Sequence, residues 1–308
     1  MHARAMVLLT LLSSAGSLVL TASFAEGPSP KSVPTYKVVA GWPESSSPMK
    51  LGEVSAVATD ASDRVFVFHR REPPVVVYDR DGKYLRSWGE GLVKKAHGLR
   101  IDREQNVWTT DVGHHLVRKF DHEGTLLMTL GREGMPGAGP DRFNQPTDVA
   151  VTPSGEFLVS DGYGNSRVVL FSKDGRYLKE WGTKGKGEGQ FNLPHAIVLD
   201  PDGRIYVGDR ENDRVQVFDS QGKFLAQWKE GGAPYGLFLT ADRRLLVADG
   251  RAGRVTVLDP SGKALQHWGE PGAGPGQFAM PHAVCVDSRG DVYVAEFNGR
   301  RLQKFTAK

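Results

Sequence analysis

Apolar and polar residues alternate along most of this chain in short runs, each closed by an aspartate- or glycine-containing pair. A period of two predicts half-buried strands, and the Asp-Gly and Gly-Lys pairs predict tight hairpins, because those residues tolerate positive φ. The clearest stretch is 193–228: Pro-His, Ile-Val-Leu-Asp, a Pro-Asp-Gly turn, Ile-Tyr-Val-Gly-Asp, a loop, Val-Gln-Val-Phe-Asp, Ser-Gln-Gly and Phe-Leu-Ala-Gln-Trp. That is four strands and three turns, with no competing helical period. The unit recurs at about 40 to 50 residues, the range of propeller blades. Ser55, His97, Thr147, His195, Tyr235 and His282 mark the first strand of six successive repeats. The sixth ends at Lys308 after three strands, and residues 36–42 resemble a fourth strand such as 84–88. The expected fold is therefore an all-β six-bladed propeller over residues 36–308, with the N-terminal strand completing the last blade so that no long edge is left unpaired.

Composition changes this picture little. With 308 residues, 37 glycines and 18 prolines the chain could be one domain or two, and the repeat makes it one. Residues 1–25 stand apart: Arg4, an apolar run over 6–20, then Ser23-Phe24-Ala25. This predicts a signal peptide cut after Ala25, a linker over 26–35 and export to the periplasm or medium, with no membrane association after cleavage. The run is interrupted by Ser13, Ser14, Gly16 and Ser17 and is short for a bilayer crossing. The single cysteine, Cys285, excludes an internal disulfide, so strand pairing must close the ring. A formal charge of +3 gives no basic face for nucleic acid, and a monomer is expected.

The chemistry lies in the repeat register. His97, His195 and His282 hold the same position in alternate repeats, so closing six repeats into a ring sets three imidazoles about a third of a turn apart, facing one point. Three neutral nitrogens with a fourth position open are what catalytic zinc uses. Strand two runs antiparallel to strand one, so the loop between strands two and three overhangs the same mouth. Those loops begin with an acidic residue in repeats two to six (Asp111, Asp161, Asp209, Asp249, Glu296), a recurrence that points to turn capping. Arg70, Tyr163 and Arg210 differ between repeats and are the candidates for chemistry. The two cations would bind an anionic substrate and lower the pKa of Tyr163. His114, His115, His122 and His267 receive no role. The glycine-rich stretches 137–139, 185–189 and 272–276 match no phosphate loop and read as connectors, and Trp88, Trp181, Trp228 and Trp268 read as inter-blade packing.

The blade pattern Gly-Gln-Phe-Asn-Leu-Pro-His-Ala-Ile followed by Ile-Tyr-Val-Gly-Asp-Arg-Glu-Asn-Asp-Arg-Val-Gln-Val-Phe-Asp resembles the NHL repeat. Within that group, residues 51–305 resemble the catalytic domain of peptidyl-alpha-hydroxyglycine alpha-amidating lyase. The resemblance is carried by Val-Phe-His-Arg at 67–70, His-Gly-Leu-Arg-Ile-Asp at 97–102, Gln-Pro-Thr-Asp-Val-Ala-Val at 145–151, Ser-Asp-Gly-Tyr-Gly-Asn-Ser-Arg at 160–167, Asp-Arg-Glu-Asn at 209–212 and Met-Pro-His at 280–282. It implies zinc on His97, His195 and His282, with Arg70, Tyr163 and Arg210 at the positions of the active-site arginines and tyrosine. It also implies a peptide-like substrate with a C-terminal carboxylate, whose C–N bond is cleaved to an amide and glyoxylate. A structural calcium is implied at the carbonyls of Val57 and Leu99, but Ala283 stands where the family carries aspartate, so that site should be weak or absent. Gly164 replaces the family's cysteine. The alternative is a non-catalytic exported NHL propeller that binds a peptide or protein on its rim. A sugar-lactone hydrolase on a similar propeller ranks below both, since it would need carboxylate metal ligands where this register supplies histidines.

Overall fold

A computed structural model of the protein describes residues 33–44 and 46–307. The predicted signal peptide and most of the linker lie outside the described residues. Six four-stranded antiparallel sheets make up the fold, and in five of them the strand order is the sequence order. The first blade is Val54–Thr59, Val65–His69, Val75–Tyr78 and Tyr84–Trp88. The first strands of blades two to six are Ala96–Ile101, Pro146–Val151, Pro194–Leu199, Pro234–Leu239 and Pro281–Val286. The sixth sheet is completed by Tyr36–Val38, which pairs antiparallel with Arg301–Ala307 through Tyr36↔Ala307 and Val38↔Phe305. The all-β six-bladed propeller and its closure are thus as expected, although the closing strand spans only 3 residues. No helix among the described residues is long and apolar enough to cross a membrane.

Blades pack face to face through buried aliphatic and aromatic residues; one cluster joins Val65, Val67 and Val76 of blade one to Tyr293, Ala295 and Leu302 of blade six. Each fully buried Val or Phe of this kind stabilises the fold by roughly 1.5 to 3 kcal/mol. The closing tryptophans have a defined seat. A Cβ on Gly124, Gly222 or Gly262 would stand 2.7, 2.8 or 2.1 Å from the indole of Trp88, Trp181 or Trp228, the tryptophan of the preceding blade. These turn glycines have φ of +96, +75 and +89°, so each turn requires glycine both for its backbone and to admit the neighbour's ring.

The recurring acids are structural, as their recurrence suggests. Asp111 accepts from the backbone N–H of Lys94, Lys95, Gly113 and His114; Asp161 accepts from Asn144 N, Asp209 from Asn192 N and Glu296 from Ala279 N. In blade five Arg254 stands 3.7 Å from Asp249, and in blades three, four and six an arginine directly across the hairpin also donates to the acid: Arg167, Arg214 and Arg301. The same guanidinium groups reach on to connector carbonyls, including Ala138, Gly187 and Ala273, and so tie the glycine-rich segments down. Blade one has a neutral substitute. His69 takes the acid's place, its Nδ1 accepting from Gly52 N and Arg71 N, and its hairpin neighbour is Pro74 where blades three to six carry arginine. Burial holds His69 down to about 4, so it stays uncharged where no arginine is available to pair with an acid.

Candidate metal centre

A single local irregularity aims the six register residues at the axis. In every blade the pairing of strands one and two slips near the top, between Val54 and Ala56, Ala96 and Leu99, Pro146 and Asp148, Pro194 and Ala196, Pro234 and Gly236, and Pro281 and Ala283. The residues left over are Ser55, His97 with Gly98, Thr147, His195, Tyr235 and His282. A β-bulge re-aims its extra side chain, and here all six line one axial channel.

The histidines alternate with the three other residues for a reason visible in the hydrogen bonds. His97 Nδ1 donates to the Thr147 carbonyl, His195 Nδ1 to the Tyr235 carbonyl and His282 Nδ1 to the Ser55 carbonyl, each at 2.7 Å. Every histidine is therefore held by the register residue of the following blade. A carbonyl only accepts, so each ring carries its proton on Nδ1 and presents an Nε2 lone pair to the axis. The three ligand atoms lie within 4.8 Å of one another, and His97 Nε2 is 3.1 Å from His195 Nε2. Two lone pairs that close with no proton between them repel, which a shared cation would relieve. The separation suits one, since neighbouring nitrogens of a tetrahedral zinc site are roughly 3.3 Å apart. The donor set thus fits a divalent metal of the zinc class.

Burial keeps these nitrogens free of protons. His97 and His195 are held well below the usual histidine range, by desolvation first and then by neighbouring imidazoles, and desolvation takes His282 to about 3. Below pH 6.5, where an unfolded histidine binds its proton, the unfolded chain takes up protons that the folded chain refuses at His97 and His195, at His69 down to about 4 and at His282 down to about 3. Stability is complete above 6.5 and falls with falling pH, each histidine costing up to about 1.4 kcal/mol per pH unit. Thermal melts in chelator should therefore show a midpoint dropping steeply from pH 6 to 4, before most carboxylates titrate. A flat midpoint across that window would contradict the buried neutral state.

Above the triad opens a cavity of about 300 Å³ lined by Arg70, Lys95, Val112, Gln145, Tyr163, Arg210, Tyr235, Met280, His282 and Phe297, with three cations and no carboxylate among them. The loops are fixed to the strand tops: Arg70 N donates to Glu53 O, Tyr163 N to Gln145 O, Arg210 N to Leu193 O and Phe297 N to Met280 O. In blade three Gly162 makes the extra step to Tyr163, and a Cβ there would meet the Pro194 carbonyl oxygen at 2.0 Å. Tyr163 Oη lies 3.1 Å from both His97 Nε2 and His195 Nε2, and Arg210 Nη1 donates to it at 3.3 Å. Arg210 also lies over the Tyr235 ring at 4.7 Å, and Arg70 over the Phe297 ring at 4.5 Å. The three residues singled out in the sequence thus share one mouth with the histidines.

One electrostatic expectation is overturned. Although Tyr163 is 36% exposed as a residue, its hydroxyl abuts two buried imidazoles, and desolvation raises its pKa above the ordinary value of 10 against the opposing pull of Arg210 and Arg70. Cations alone do not make this tyrosine acidic. Val57, Leu99 and Ala283 all line the channel just below the triad, yet residue 283 offers no side-chain oxygen, and the carboxylate of Asp148 is engaged by Arg100. The residues present do not fit calcium.

Phe297, Lys95 and Met280 were not anticipated as site residues. Phe297 follows the loop acid directly, as Arg210 does, and that shared position was the available signal. Arg100 and Asp148 had none.

The NHL repeat pattern matches residues 143–171, 191–218 and 278–305, the stretches of blades three, four and six that carry the acid–arginine clamp. The chain is 38% identical over 214 residues to peptidyl-glycine alpha-amidating monooxygenase A of Xenopus laevis, covering 59% of this chain and 23% of that protein. It is 34% identical over 232 residues to peptidyl-alpha-hydroxyglycine alpha-amidating lyase 1 of Drosophila melanogaster, covering 63% of this chain and 42% of that one. NHL repeat-containing protein 3 of Mus musculus is 38% identical over 210 residues, covering 63% and 60%. The chain thus spans less than two thirds of each of these relatives. A solved structure of a catalytically inactive virginiamycin B lyase variant from Staphylococcus aureus shares the fold, with a TM-score of 0.61 at 16% identity over 88% of this chain and 85% of that one. The chain is therefore a six-bladed propeller, three of whose blades match the NHL repeat, and it is similar in sequence to proteins named peptidyl-alpha-hydroxyglycine alpha-amidating lyase.

Proposed function

We propose that this protein is a zinc-dependent lyase that cleaves the C–N bond of a peptidyl-alpha-hydroxyglycine, or a similar carbinolamide, to an amide and glyoxylate. The observation that carries the reading is the set of three Nε2 lone pairs beneath a cation-lined mouth, with Tyr163 Oη 3.1 Å from two of them. Similarity to proteins named for this reaction supports it.

His97, His195 and His282 would hold the zinc, which when bound supplies Lewis-acid polarisation of the substrate hydroxyl and positive charge that favours ionised tyrosine. Arg70 and Arg210, stacked on Phe297 and on Tyr163 and Tyr235, present guanidinium groups to the carboxylate that leaves with glyoxylate. Tyr163 Oη accepts the hydroxyl proton. The O–H electron pair becomes the carbonyl bond, the C–N bond breaks toward nitrogen, and the leaving nitrogen takes up one proton, so no water is consumed. Val112, Met280 and Phe297 form the apolar part of the mouth against which the peptide end packs. We place the protein outside the cytoplasm, from the leader-like residues 1–25.

The test is an assay of glyoxylate from a hydroxyglycine-terminated peptide, with zinc-loaded protein and with chelator. Release that stops on zinc removal and returns on reloading is expected. No glyoxylate from fully loaded protein would reject the lyase reading in favour of a rim-binding propeller.

A further inference from the structure

One ion pair lies on the propeller axis immediately below the histidines. Arg100 Nε donates to Asp148 Oδ1 at 3.0 Å and Nη2 to Oδ2 at 2.5 Å, while Nη1 and Nη2 both donate to the Leu237 carbonyl at 3.2 Å. The Asp148 carboxylate also accepts Ile197 N at 3.0 Å and Val149 N at 2.9 Å. One guanidinium–carboxylate pair therefore ties the first strands of blades two, three, four and five at a single level. That level is three residues beyond His97, two beyond His195 and two beyond Tyr235, whose carbonyl orients His195. Between the pair and the histidines the channel is about 20 Å³, room for about one water, and on its other side Arg100 lines a cavity of about 240 Å³.

Asp148 is buried and the Arg100 side chain is 21% exposed, and a pair this far withdrawn from water is not explained by stability alone. Withdrawing both charges from water costs several kcal/mol per ion, and apolar replacements of such pairs are often neutral or better. Removing one partner is different, because it leaves the other charged and unsatisfied. The same level holds Val57, Leu99 and Ala283, where the sequence resemblance sets a calcium ion. Calcium takes six to eight oxygens and favours carboxylates. Here residue 283 has none to give, the one carboxylate is saturated by a guanidinium and two N–H groups, and a fixed positive charge already stands on the axis.

We infer that Arg100 is the resident cation of this level: its guanidinium takes the place of a bound calcium, joins four blades beneath the metal nest and makes the nest independent of calcium. Arg100 is a positioning residue, acting on the histidines through the strands that carry them. The inference rests on reading the three histidines as a metal nest for its affinity readout, whereas the stability readout stands without that reading.

The experiment compares parent, Arg100→Ser and Arg100→Ser/Ala283→Asp, each in buffer passed over a chelating resin to remove calcium and in the same buffer with millimolar calcium added, by thermal unfolding and by zinc affinity in competition with a chromophoric chelator. The parent is expected to melt at the same temperature and bind zinc equally in both buffers. Arg100→Ser should lose about ten- to a hundredfold in zinc affinity, the usual cost of disturbing groups that orient metal ligands. The double variant, with Asp148 freed and a second carboxylate added, should recover melting temperature and zinc affinity only when calcium is present. A parent stabilised by calcium would overturn the inference, as would Arg100→Ser that keeps full zinc affinity. If Arg100→Ser fails to fold, the parent's calcium response and Arg100→Lys decide the matter: the lysine keeps the charge but not the two-pronged geometry, so it should fold, ignore calcium and bind zinc more weakly. A parent that binds no zinc but melts identically in both buffers would remove the metal reading and leave the calcium replacement intact.

Discussion

His195→Ala is expected to weaken zinc binding by at least about a hundredfold, which is about 3 kcal/mol. Nε2 of this residue is one of three lone pairs within 4.8 Å, and no other histidine, cysteine or carboxylate among the described residues joins that group to substitute for it. Its ring is oriented by the Tyr235 carbonyl, so the loss removes a nitrogen already pointed at the axis, at no ordering cost on binding. His97→Ala and His282→Ala should behave alike, since all three rings share the same 2.7 Å tether to a neighbouring carbonyl. His114→Ala is the control. That ring meets Asp111 and Glu133 and takes no part in the group at the axis. Equilibrium dialysis with elemental analysis reads the outcome, and zinc retained at one per chain in His195→Ala would end the three-histidine assignment.

The sequence carried the parts of this site that depend on spacing. A fixed register repeated six times and alternating between histidine and other residues determines both the ring and the meeting of His97, His195 and His282, because blade order converts repeat number into angle. It also carried the loop acids, whose presence in five repeats marked them as caps. Three features needed coordinates. The bulge at each register residue is a property of strand pairing, and nothing in Pro-His-Ala distinguishes a paired residue from a bulged one. The tethers from the histidines run to backbone carbonyls of Ser55, Thr147 and Tyr235, so the side chains that alternate with histidine gave no sign of their role. The raised pKa of Tyr163 reflects a balance between burial and charge, and sequence displays the charges but not the burial. Arg100 was harder still to find. It follows His97 by three residues and reads as an ordinary outward position of a strand until closure of the ring brings Asp148 and Leu237 across the axis.

Tyr163→Phe should lower kcat by about a hundred- to ten-thousandfold on a hydroxyglycine substrate, the usual contribution of a positioned general base. The variant removes one oxygen, the atom 3.1 Å from His97 Nε2 and His195 Nε2 and 3.3 Å from Arg210 Nη1. It keeps the aromatic face on which Arg210 rests. KM should change little, because Arg70 and Arg210 still face the carboxylate, and zinc content should stay at the parent level with the three imidazoles untouched. That split separates a proton-transfer role from a binding role, for which KM would rise while kcat held. The pH profile supplies a second discriminator. Burial raises Tyr163 above its ordinary 10 in the metal-free site. If bound zinc brings this tyrosine back into the working range, the parent should gain rate with rising pH along a limb that moves when zinc is replaced by a weaker Lewis acid, and the phenylalanine variant should lack that limb. Parent-like turnover with an unchanged profile in Tyr163→Phe would take the base away from this residue. In this mouth Arg70 and Arg210 are effectively always protonated, so the proton would then have to pass to Tyr235 or Lys95 or leave through water.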